Sequence, residues 1–133
     1  MDATETEGLL LALLEEHGAD WTRSRGYIRF LVRRQGLCWE ADCLCERGRV
    51  LIYSRYPFIP ADRGAALALC NRANLRLCHG AMLLSEDGRP VLRMAAELDD
   101  IYDAAHRLRR ALEENAAAVV RWWSLLEGTA PAE

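Results

Sequence analysis

The chain has 133 residues, five cysteines and a formal net charge of −3. That length fits one domain with a core large enough to need no covalent staples. The acidic balance excludes a broad basic field for nucleic acid. All 17 basic residues are arginine, which excludes a lysine nucleophile, a Schiff base and a phosphate-loop lysine.

The start, MDATETEGLLLALLEEHG, carries Leu9, Leu10, Leu13 and Leu14 at helical spacing. Thr4-x-x-Glu7 reads as its capping box and Gly18 as its stop. The stretch lacks a basic leader region, and its apolar run is too short for a signal or membrane segment. With an odd cysteine count and no secreted spacing, this points to a reducing cytosol and free thiols.

Three strand-like runs follow: YIRFLVRR, LCWEADCLCE and RVLIYSRY. Turns at Gln35-Gly36 and Arg47-Gly48 join them, and two-residue loops fix a hairpin's register. One face then aligns Val32 with Trp39 and Tyr56, Phe30 with Ala41 and Ser54, Ile28 with Cys43 and Ile52, and Cys45 with Val50. The other aligns Arg29 with Asp42 and Tyr53, Leu31 with Glu40 and Arg55, and Tyr27 with Leu44 and Leu51. Opposite charges fall side by side, which supports an antiparallel meander.

Pro57 and Pro60 end the third strand. A helix from Ala61 to about Leu77 is expected, with Ala66, Leu69, Cys70, Ala73 and Leu77 as its apolar stripe. Asp87-Gly88 signals a second hairpin, with a two-residue loop that pairs Glu86 with Arg89, Leu83 with Leu92 and Ala81 with Met94. The last helix is expected to begin at Asp99 or Asp100 as cap. Of neighbouring Trp122 and Trp123, one is expected in the core and the other exposed or at a subunit contact. The order is α-β-β-β-α-β-β-α. It makes residues 1–133 a single α+β domain, with an ordered core of about 5–126 and a frayed tail over 127–133.

The segment LCNRANLRLCHG holds the densest chemistry, yet C-x7-C-H matches no usual zinc spacing. Cys43 and Cys45 fall on the presumed core face, and Cys38 points the other way. All five cysteines, Cys70 and Cys78 included, read as packing thiols. Asn71 and Asn74 either satisfy backbone at the helix–sheet seam or line a ligand or partner groove. His17, His79 and His106 lie on separate elements, and no serine sits in a nucleophile elbow. No catalytic, cofactor-binding or metal-ligating residue is assigned.

The segment from Val50 to Leu98 resembles the YbjN-like family of bacterial sensory transduction regulators. The resemblance rests on a strand, an exit at Tyr56, Pro57 and Pro60, a helix carrying Asn71-x-x-Asn74, and a hairpin. It extends over roughly residues 5–126. It implies a fold similar to type III secretion chaperones, with helices on a five-stranded antiparallel sheet. Such chaperones are usually homodimers that hold an extended client segment. The family carries no established catalytic residues.

The expected function is therefore non-enzymatic and without a cofactor: a cytoplasmic, homodimeric, chaperone-like or regulatory module binding a segment of a partner protein. Neither nucleic acid nor membrane is an expected partner. The expected contacts are Leu31, Leu44, Leu51 and Tyr53, with Arg29, Arg55, Asn71 and Asn74. The alternative is a regulator that senses a ligand or the redox state of its thiols.

Overall fold

The computed structural model describes residues 1–128. Residues 129–133, most of the tail expected to fray, lie outside them. The first helix, α1 (Ala3–Glu16), starts two residues before Thr4-x-x-Glu7 would place it. Asp2 is the N-cap: its carboxylate accepts from Glu5 N at 2.8 Å, and Glu5 Oε1 accepts from Asp2 N at 3.4 Å. Thr6 is buried on this helix, its hydroxyl 2.9 Å from both Ala3 O and Glu46 O. Gly18, at φ +68°, closes the helix. Ala19 N donates to Leu14 O at 2.9 Å and Gly18 N to Glu15 O at 3.0 Å, the paired bonds of a left-handed helix stop.

Six strands follow, not five. The additional one is β1 (Trp21–Ser24), joined to β2 (Tyr27–Arg34) through Arg25 and Gly26 at φ 52° and 85°. That is the same turn chemistry that joins β2 to β3 (Leu37–Glu46) through Gln35 and Gly36. β4 (Arg49–Arg55) completes the meander. Its register is the one the turns imply: Phe30, Ala41 and Ser54 align, as do Arg29, Asp42 and Tyr53.

After β4 the chain runs through α2 (Arg63–Asn74), β5 (Gly80–Leu84), β6 (Pro90–Glu97) and α3 (Ala104–Glu127). The sheet order is β1-β2-β3-β4-β6-β5, with all pairs antiparallel. α2 is shorter than its stripe suggested, and Asp62 caps it by accepting from Ala65 N at 2.9 Å.

The β5–β6 register differs from the expected one by a residue. Met82 faces Leu92 and Leu83 faces Val91. The loop holds three residues, because Ser85 N donates to Arg89 O and Gly88 N to Ser85 O, both at 2.9 Å, with Gly88 at φ +86°. A one-residue slip exchanges the faces of a strand. Met82 is consequently core, and Leu83 lies on the opposite face, 37 % exposed. Gly80 is dictated by proximity: a Cβ there would stand 2.8 Å from Arg93 O.

All three helices pack on one face of the sheet. Leu10, Leu13 and Leu14 of α1 meet Ile28, Phe30, Cys43 and Ile52, and Leu108 of α3 joins them. Further along α3, Val119, Trp123 and Leu126 cluster with Trp39, Leu92 and Met94, beside Cys70 and Ala73 of α2. α3 starts later than expected, with Asp103 at the N-cap position, while Asp100 accepts from Tyr102 N at 2.9 Å. Trp122 and Trp123 are both buried, contrary to the expected split. A helix that meets both the sheet and α2 has two covered sides, so neighbours about 100° apart are both enclosed.

Candidate functional site: the uncovered sheet face

Strand alternation sends every second side chain away from the helices. On that outer face Leu31, Leu44, Leu51 and Tyr53 are only partly covered, and Leu31 is 50 % exposed. The register also brings Val91, Arg93 and Ala95 of β6 there, opposite Arg55, Tyr53 and Leu51. Thr22 and Ser24 of β1 extend it beside Arg29 and Tyr27. Tyr27 and Tyr53 meet edge to face, 6.1 Å between ring centroids.

A charged lattice crosses the centre. Arg29 grips Asp42 with both arms of its guanidinium, Nε to Oδ1 at 2.8 Å and Nη2 to Oδ2 at 3.3 Å. Arg55 Nη2 lies 3.1 Å from Glu40 Oε2 and 3.2 Å from Asp42 Oδ2. Arg29 Nε reaches Glu40 Oε2 at 3.5 Å. Asp42 is 9 % exposed, so the two arginines neutralise a carboxylate that would otherwise be costly to cover. The hydrogen bond to Asp42 raises the pKa of Arg29 further above its ordinary value. Exposed ion pairs contribute little stability. The lattice instead holds the charged groups flat between the apolar side chains. Arg33 and Arg93 also lie on this face, and among the described residues neither is in an ion pair.

The structure thus brings together six of the eight expected contact residues. Asn71 and Asn74 lie elsewhere, on α2, which packs against the other side of the sheet. Both ends of the Asn74 amide are occupied by β5: Nδ2 donates to Met82 O at 3.0 Å, and Oδ1 accepts from Met82 N at 2.6 Å. That is the seam role weighed from the sequence. Arg33, Val91, Arg93 and Ala95 share this face and are not among the expected contacts; Val91 is itself 5 % exposed. The β4–β6 pairing is long-range and leaves no turn signal; Arg33 could have been found from the alternation of β2.

The thiols do not converge. Cys43 and Cys70 are buried, Cys45 and Cys38 partly so, and Cys78 is exposed. Burial pushes Cys43 and Cys70 up, and Cys45 to about 11, which keeps these three as thiols at neutral pH. Among the described residues no three His, Cys, Asp or Glu side chains gather to hold a metal ion, and no helix is long and apolar enough to cross a membrane. In comparisons with known proteins, no family model and no curated relative matches the chain. Fold and surface define an α+β domain that covers one face of its sheet and leaves the other bare.

Proposed function

We propose that the chain is a non-enzymatic protein-binding module whose outer sheet face receives an extended segment of a partner polypeptide. One observation carries this reading: the sheet has no helix on that face, and its partly exposed leucines alternate with charges already paired among themselves. An apolar patch with a polar surround is the anatomy of a recognition surface. Self-paired charges need little new desolvation when a partner arrives, whereas Arg33 and Arg93 remain available to acidic side chains flanking the segment. The resemblance to YbjN-like proteins supports the same reading and extends the proposal to a cytoplasmic homodimer; light scattering at increasing concentration reads the dimer.

Selection from a displayed library of short random peptides tests the proposal. Enriched sequences should alternate apolar residues and carry acidic ones. Leu51→Asp and Leu31→Asp, both on the outer face and outside the core, should abolish capture while the circular dichroism spectrum is unchanged. Failure to enrich any peptide over the Leu51→Asp protein would refute the proposal.

A further inference from the structure

On the helix side, the core does not close between α1 and α3. A cavity of about 430 Å³ opens there, walled by Leu13, Leu14, Phe30, Val32, Ile52 and Leu112, with Ser54 and Asn115 also lining it. That volume lies within the range of small-molecule sites.

One wall is a bare strand edge. β1 begins only at Trp21, opposite Phe30, so residues 31–34 of β2 have no strand beside them on that side. Ser24 and Tyr27 flank a two-residue loop and exchange hydrogen bonds, so alternation turns the backbone of Leu31 and Arg33 toward the open edge. Their side chains belong to the outer face, so what they give the cavity is main chain. Among the described residues neither amide has a backbone partner there. The Arg33 carbonyl is already taken by Arg34 Nη1 at 2.8 Å.

Donors therefore exceed acceptors along this wall. Asn115, 2 % exposed, adds a carboxamide with two N–H groups, of which one makes a long bond of 3.5 Å to Leu92 O. At the mouth stand two further cations, Arg34 and Arg109. Each is held by an exposed glutamate, Glu113 at 2.9 Å and Glu16 at 3.2 Å, and Asp20 stands beside them. Such exposed pairs are weak and exchangeable. An added polypeptide strand fits poorly here: the free edge is four residues long before the turn at Gln35 and Gly36, and one of its carbonyls is occupied.

We propose that this cavity binds a small amphiphile with an apolar body and a carboxylate head. The body lies against the leucines and Phe30, and the head accepts from the Leu31 and Arg33 amides beside the Arg34 and Arg109 guanidiniums. The outer face lies across the sheet and shares with this site only the residues Leu31 and Arg33, by their side chains there and their main chain here.

Calorimetric titration of the full chain with decanoate, decan-1-ol and decyltrimethylammonium, each below its aggregation threshold, separates body from head. Decanoate should bind saturably at one per chain and about tenfold more tightly than the alcohol, with no heat from the cation. Methyl resonances of Ala41 and Ala116, which line the cavity, should shift with decanoate. Leu112→Trp should remove binding by filling the space. Arg34→Gln should weaken decanoate about fivefold and leave the alcohol unchanged. Leu51→Asp, on the opposite face, should leave every affinity unchanged, which keeps this test distinct from that of the outer face. Absence of saturable decanoate binding, equal affinities for the three head groups, or unshifted Ala41 and Ala116 methyls would overturn the proposal. Should Leu112→Trp fail to fold, the methyl shifts of the unaltered chain decide alone.

Discussion

Ser54→Ala removes a single oxygen, yet it should be among the most damaging small substitutions in the chain. Ser54 is the middle member of a buried relay. Trp39 Nε1 donates to Ser54 Oγ at 3.1 Å, and Ser54 Oγ donates to Asn115 Oδ1 at 2.5 Å. All three residues are at most 2 % exposed. Alanine at this position leaves two groups without partners, the indole N–H and the amide oxygen. Each orphaned buried group costs about 1–3 kcal/mol, so the loss should be about 3 kcal/mol. With a urea m-value of about 1.5 kcal/mol per molar, the unfolding midpoint falls by about 2 M. Asn115→Leu orphans only the Ser54 hydroxyl and a long-bonded Leu92 carbonyl, so its loss should be smaller. Urea unfolding followed by tryptophan fluorescence measures both. A Ser54→Ala midpoint within about 0.5 M of the parent, at unchanged slope, would show that the relay does not hold the core.

Gly80→Ala should destabilise by about 1–3 kcal/mol, because the new methyl meets the Arg93 carbonyl, which cannot turn aside, as well as the Met94 side chain; thermal unfolding reads it. Alkylation with iodoacetamide at pH 8 should label Cys78 in the native protein and Cys43 and Cys70 only after unfolding, as peptide mass spectrometry would show. Stability should fall as pH rises from about 9 toward 11. The folded protein holds the Cys45 thiol protonated up to about 11 against an ordinary 9.0, so the unfolded chain loses that proton first. Cys43 and Cys70, also raised by burial, add to the same decline, so Cys45→Ala should lessen it without removing it, and an equally steep decline in the variant would exclude Cys45 as a source.

The meander was legible because its information is local. Gln35-Gly36 and the Arg47-Gly48 step each set a register, and alternation then placed Leu31, Leu44, Leu51 and Tyr53 on one face. β1 was missed although Arg25-Gly26 carries the same turn chemistry, because Trp21–Ser24 is too short to show alternation. The β5–β6 register was misread because Asp87-Gly88 fits both a two-residue and a three-residue loop. What separates them is the bond between Ser85 and Arg89, which no pattern displays. Trp122 and Trp123 could not be assigned from helix geometry alone, since their burial depends on α2 meeting α3. The outer face was visible as a list of residues on three strands; its width across β6 was not.

The most direct test of the account is an amide chemical-shift titration of the labelled chain with a peptide selected on it. Shifts should concentrate at Leu31, Leu44, Leu51, Tyr53 and Arg93, spare α1 and α2, and vanish in the Leu51→Asp protein. Shifts confined to the helices, or an undiminished response in that variant, would contradict the claim that the bare face of the sheet is where this protein works.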